Sequence, residues 1–239
     1  MSAPEGRAAP VSLASRVLRV AGTASLVFVP ATMGACAYFG VPAAAALTLL
    51  SVVLTLVLFF ASYEASRPAL RQIMPAATLA AVAAAGRIVF APIPNVQPVS
   101  AIVIVAGAAL GRRDGFMVGA LAALASNLFF GQGEWTPWQM YAWGLMGYVA
   151  GMLADRGLLT RRWATLAFGF VASLGYALLL NGFYILGYVK PLTWPGALGA
   201  IALAAPYDLM HATSTVAFLA LIWLPWERSI KRVVRKYAL

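Results

Sequence analysis

The chain has 239 residues, 62% hydrophobic and only 10% charged, with mean hydropathy +0.85; a soluble domain carries about a quarter charged residues, so that class is excluded. The net charge of +10 is mostly topological and not a nucleic-acid footprint, because fifteen of the seventeen Lys and Arg fall in five places at the ends of apolar runs, the positive-inside pattern of a multi-pass membrane protein. Several runs reach the ~20 apolar residues that cross a bilayer, and the ~10-residue alternating segments of a transmembrane barrel are absent.

Residues 1–15, small and polar with Pro4 and Pro10, are expected to form a disordered cytoplasmic lead. Apolar runs then predict helices over 16–39, 43–62, 69–90, 98–111, 115–130, 137–154, 163–188 and 199–224. The clusters Arg7/Arg16/Arg19, Arg67/Arg71, Arg112/Arg113, Arg156/Arg161/Arg162 and Arg228 to Lys236 mark cytoplasmic ends, whereas connectors 38–43, 91–97 and 131–137 hold no Lys or Arg. With an even number of spans, both termini are expected in the cytoplasm. Gly111-Arg-Arg-Asp-Gly115 predicts a tight charged turn. The lone Cys36 cannot form an internal disulfide and is expected to be an inert packed thiol. A composition shift near residue 65 separates an accessory hairpin, 16–64, from a six-helix core, 65–226, followed by a basic cytoplasmic tail, 227–239.

Candidate site residues follow in the same order. Ala77, Ala81 and Ala85 lie four apart on one face of the third helix, which suits close helix approach, either within the bundle or onto a partner. Arg87 stands near the outer end of that helix, against the charge pattern. Ionisable groups in lipid cost several kcal/mol unless they are paired or face a cavity, so each marks a candidate site. The next connector, Ala91-Pro-Ile-Pro-Asn-Val-Gln-Pro98, supplies Asn95 and Gln97 on a backbone braced by prolines. The segment from Pro98 to Gly111 is short for a crossing; in transporters such spans mark a cavity, and elsewhere they reflect local thinning. Asn127 ends the fifth helix, and the loop Gly131 to Met140 concentrates Gln132, Glu134, Trp135, Trp138 and Gln139, with Trp143 just beyond. Flat aromatic walls beside hydrogen-bonding groups suit a small-molecule pocket, against the plainer reading of a tryptophan belt at the membrane interface. Asn181 lies toward the outer end of the seventh helix. Asp208 and His211, three apart, share a face of the last helix, either as a structural polar pair or as substrate contacts.

The chain has no G-x-x-x-x-G-K-[ST] loop, no G-x-S-x-G elbow and no H-E-x-x-H pair. ATP hydrolysis, serine hydrolysis and metal catalysis are therefore unsupported, and neither a cofactor nor a metal is expected.

Five segments in this order carry a family resemblance: Ala77-x-x-x-Ala81 running to Arg87, Ile93-Pro-Asn-Val-Gln-Pro98, Asn127-Leu-Phe-Phe-Gly-Gln-Gly133, Trp135-Thr-Pro-Trp-Gln-Met140 and Pro206-Tyr-Asp-Leu-Met-His211. Over about residues 69–225 the chain resembles the substrate-binding (S) component of energy-coupling factor (ECF) vitamin transporters. The resemblance implies an all-α polytopic membrane fold, a six-helix S-component core preceded here by an extra hairpin. It implies high-affinity capture of a vitamin or precursor at a prokaryotic inner membrane, with ATP hydrolysed by two ATP-binding cassette partners. A transmembrane coupling (T) subunit would dock on Ala77, Ala81 and Ala85, and the bundle would topple to deliver its cargo. Stacking is expected from Trp135, Trp138 and Trp143, and polar recognition from Arg87, Asn95, Gln97, Asn127, Gln132, Gln139 and Asn181. The Trp135-Thr-Pro-Trp-Gln139 pattern resembles members linked to cobalamin uptake, so a cobalamin-type substrate is expected; Glu134 departs from the proline of similar sequences. Two other readings stand beside this one: a membrane enzyme acting on a lipid-like substrate through Asp208 and His211, and a scaffold whose tryptophans are interface anchors.

Overall fold

The computed structural model describes residues 13–237; the lead expected at 1–15 lies outside them as far as residue 12. Among the described residues there are eight helices and no strand: α1 (Leu13–Phe39), α2 (Ala44–Glu64), α3 (Leu70–Val89), α4 (Val99–Leu110), α5 (Arg112–Phe130), α6 (Trp135–Asp155), α7 (Arg162–Tyr188) and α8 (Trp194–Tyr237). Five of them, all but α4, α5 and α6, are long and apolar enough to cross a membrane by length and composition. Helices are the form an apolar chain needs here, because each buried backbone N–H and C=O is paired within its own segment.

Two expectations need correction. The charged turn expected over 111–115 shrinks to Gly111 alone, whose φ of 103° is open to glycine, and α5 begins at Arg112. The last helix does not end near residue 224, since α8 runs on through the basic segment as far as Tyr237, supported by the Glu227–Lys231 pair at 2.6 Å. Pro137 is accommodated in the first turn of α6, where a backbone N–H would have no intrahelical acceptor, so this helix starts at Trp135. Cys36 is buried and unbridged.

Packing centres on α4, α5 and α6, whose backbones meet along glycines. A methyl group at Gly107 would lie 2.1 Å from the Gly147 carbonyl oxygen, and one at Gly119 would lie 2.3 Å from that of Trp143. Small residues allow such approach, and in lipid this packing is a main source of helix association. Because the clash at Gly147 is with the Gly115 carbonyl oxygen at 2.2 Å, Gly147→Ala is expected to cost about 3 kcal/mol or more. In a thermal melt of the detergent-solubilised protein this is a fall in Tm of roughly 6–12 °C; an unchanged Tm would show the seam to be loose.

The shortness of α4 shapes the site. Its 12 residues span ~18 Å of a ~30 Å hydrocarbon core, so the connector from Phe90 to Pro98 descends into the bundle to meet it. Pro98 is buried and its ring touches α3 at Gly86, where a methyl group would lie 2.6 Å from the proline Cγ. Asn95 takes a positive φ of 56° on this path, a conformation asparagine tolerates.

The hairpin α1–α2 packs against α6 and α7. Phe59 stacks on Phe116 at 3.8 Å, and the buried Tyr141 hydroxyl donates to the Leu26 carbonyl at 2.5 Å. On α3, Ala76, Ala80, Ala83 and Ala84 face the core, which leaves Ala77, Ala81 and Ala85 as an exposed outward stripe.

Candidate ligand-binding site

The last turn of α3 carries Arg87 into a ring of neutral partners. Its Nε donates to Gln97 Oε1 at 3.1 Å, and its Nη1 donates to Ser126 Oγ and Asn127 Oδ1, both at 2.7 Å. The guanidinium also lies over the rings of Phe130 (4.6 Å) and Trp143 (4.9 Å). Among the described residues no carboxylate pairs with it, and Nη2 has no hydrogen-bond partner. A cation set at the uncharged end of an apolar bundle is thus held by dipoles and π-faces alone.

From Arg87 the bonding continues in a determined direction. Arginine only donates, so Gln97 turns its oxygen toward Arg87 and its amide nitrogen toward His211 Nδ1, at 3.3 Å. His211 Nδ1 must then accept, which assigns its proton to Nε2, from which it donates to Ser100 Oγ at 2.9 Å. Ser100 Oγ also accepts the indole N–H of Trp143 at 3.0 Å. A second branch runs from Asn127 Nδ2 to Thr136 Oγ1 (3.0 Å) and Gln139 Oε1 (2.8 Å). Trp143, Tyr176 and His211 form a continuous ring stack, with centroids 4.7 and 5.3 Å apart.

Arg87, Gln97, Asn127, Gln139, Trp143 and His211 are therefore brought into one network. Asn95 sits at its rim, donating to the Tyr207 carbonyl at 3.1 Å. Asn181 donates to Asp208 at 2.8 Å, and it also lines a cavity of about 690 Å³ between α7 and the start of α8, with Leu180, Tyr184, Val189 and Leu203.

The other expected contacts lie elsewhere. Trp138 is fully enclosed in the cluster between the hairpin and α6/α7, stacked on Phe183 at 5.4 Å, with its indole N–H unpartnered. Trp135 is half exposed and covers Gly133. Gln132 is exposed and donates back to the Leu124 carbonyl at 3.0 Å, and the Glu134 carboxylate accepts from the Tyr188 hydroxyl. The two chemical faces of α6 explain the split, since Gln139 and Trp143 point to the network while Trp138 and Tyr141 point to the hairpin side.

Ser100, Ser126, Thr136 and Tyr176 join the network without being candidates from the sequence. Ser100 carried a usable signal as the one polar residue between Val99 and Leu110. Tyr176 carried none, because it is one aromatic in a long apolar run and gains meaning only from its neighbours in the stack. Among the described residues, no three His, Cys, Asp or Glu side chains come together as a metal site requires.

Residues 69–222 match the family model described as ECF-type riboflavin transporter, S component. No curated protein and no solved structure matches the chain. The match gives no support to the expectation of a cobalamin-type substrate. It covers the core helices and omits the hairpin, and it agrees with the all-helical architecture and the order of polar segments. The chain belongs to the family of ECF-type riboflavin transporter S components, and is accordingly a multi-pass membrane subunit that binds a vitamin for transport and is not an enzyme.

Proposed function

We propose that this subunit binds riboflavin, or a vitamin with the same flat, imide-edged ring, at the uncharged side of the bundle. The observation that carries the reading is Arg87, a cation whose Nη2 has no hydrogen-bond partner among the described residues, set among amide side chains and a three-ring stack. A flavin ring edge alternates carbonyl, N–H and carbonyl. Arginine N–H groups and the amides of Gln97, Asn127 and Gln139 supply complementary donors and acceptors, and the ring face suits stacking on an aromatic surface. A corrinoid is several times larger than a flavin and has no such planar imide edge.

In this reading the uncharged side faces outward and the arginine-rich ends face the cytoplasm of a prokaryote, following the positive-inside bias. The exposed stripe Ala77, Ala81 and Ala85 receives the T subunit, and two ATPases supply the energy. Titration of the purified protein with riboflavin is expected to quench tryptophan fluorescence saturably at submicromolar to micromolar concentration, because Trp143 stands in the network. Cobalamin in excess is expected not to compete. Quenching by neither compound, or displacement of riboflavin by cobalamin, would overturn the assignment of the substrate.

A further inference from the structure

At the opposite, arginine-rich side of the bundle lies a second cavity, of about 290 Å³, that shares no residue with the network around Arg87. Its walls are Tyr63 and Ser66 at the end of α2, Gln72 in the first turn of α3, Arg113 and Asp114 at the start of α5, and Val234 on the long extension of α8.

Two features of this cavity point to a ligand carrying both charges. Arg113 and Asp114 are adjacent and opposite in sign, yet neither joins an ion pair among the described residues, and the neighbouring Arg112 is engaged with Asp155 at 3.5 Å. Each is instead held by a hydroxyl-bearing residue of α2: Arg113 Nη2 donates to Ser62 Oγ at 2.7 Å, and Asp114 accepts from the Tyr63 hydroxyl at 2.7 Å. These contacts use one of five guanidinium donors and one of about four carboxylate acceptor positions. The remaining capacity is a cation receptor and an anion receptor side by side. Arg19 of α1 is near enough to act on Arg113 electrostatically, adding positive potential on the anion side.

The surroundings favour a ligand that arrives from the bilayer. Helices α2 and α3 are consecutive and joined by a short connector, yet they do not pack against each other along their lengths. Both helices expose apolar side chains, among them Val57 and Met74, so acyl chains lying between them would meet an apolar surface. We propose that the cavity holds the headgroup of a zwitterionic phospholipid with a primary amine. Arg113 takes the phosphate, Asp114 takes the ammonium, and the acyl chains lie against the exposed apolar side chains of α2 and α3. A primary ammonium can donate hydrogen bonds to Asp114, whereas a quaternary choline cannot and a glycerol headgroup carries no compensating cation.

The test measures bound lipid by native mass spectrometry, using purified protein offered phosphatidylethanolamine, phosphatidylglycerol and phosphatidylcholine with identical acyl chains. Wild-type protein is expected to retain phosphatidylethanolamine about tenfold more than either alternative, the size of one charge-assisted hydrogen bond. Asp114→Asn keeps an oxygen for the Tyr63 hydroxyl and is expected to bring phosphatidylethanolamine down to the phosphatidylglycerol level. Arg113→Gln is expected to lower retention of all three lipids; if that variant does not fold, Asp114→Asn decides. No retention, equal retention of the three, a preference for phosphatidylglycerol, or a preference that survives Asp114→Asn would each overturn the proposal. Soluble phosphoethanolamine serves as the chain-free control, and displacement of the lipid by it at equal concentration would reassign the cavity to a soluble zwitterion. The result is independent of which vitamin the outer site binds.

Discussion

Arg87→Met is expected to weaken riboflavin binding by about 100-fold, equivalent to about 2.7 kcal/mol, while the protein remains folded with a Tm within a few degrees of wild type. The binding loss follows from removing the one charged donor in the network, since hydrogen bonds to charged groups are worth about 1.5–3 kcal/mol and Arg87 also orients Gln97 and Asn127. The small stability change follows from two opposing effects. Methionine leaves the acceptors of Gln97, Ser126 and Asn127 without their donor, but it removes a cation held in an apolar bundle without a carboxylate partner. Arg87→Lys should fall between, because an ammonium cannot serve Gln97, Asn127 and a ligand edge with one planar fork. Fluorescence titration and thermal melts of the three proteins separate the roles. A large drop in Tm with unchanged affinity would make Arg87 a structural brace and remove the basis of the proposed pocket.

Ala81→Trp is expected to do the reverse, leaving riboflavin affinity within about twofold of wild type and reducing uptake in cells expressing the coupling subunit and ATPases to background. Ala77, Ala81 and Ala85 point outward from the bundle and make no contribution to its core. A partner helix can approach such a face to backbone distance, and an indole in the middle of the stripe holds it several ångströms away, forfeiting most of the dispersion contacts. The same helix carries Arg87, so retained binding is the internal control that α3 has not shifted. Uptake at the wild-type level would mean that this face meets lipid and that coupling occurs elsewhere.

The proposed lipid site and the corrected course of α8 are linked. Because α8 continues to Tyr237, Val234 reaches the ends of α2 and α3 and closes one wall of the second cavity. A helix ending near residue 226 would leave Arg113 and Asp114 facing open solvent on that side.

Arg87, Asn127 and His211 were legible as site candidates because a polar side chain in an apolar run has a cost that only burial with partners can offset. Asp208 and His211 also share a helical face, as their spacing requires, but that face divides between two neighbours: Asp208 meets Asn181 on α7, and His211 meets Gln97 and Ser100. The tryptophans were less legible. Trp138 and Trp143 are five residues apart, which on an α-helix turns them roughly 140° from each other, so they cannot serve one pocket equally. Spacing alone states that they diverge; which of them meets the network depends on where α1, α2 and α7 pack against α6.

Taken by itself, the sequence determined the membrane class, the helical form, the sidedness of charge and the order of polar segments that marks the family. Each of these depends on local composition and on the cost of polar groups in lipid, both of which can be read residue by residue. The tertiary structure alone decided that Ser100 and Tyr176 join the network, that Trp138 belongs to the hairpin cluster, and that Arg113 and Asp114, without an ion pair among the described residues, line a cavity. These depend on which helix faces meet, and that choice is made by the glycine contacts among α4, α5 and α6 and by an α4 too short to span the bundle.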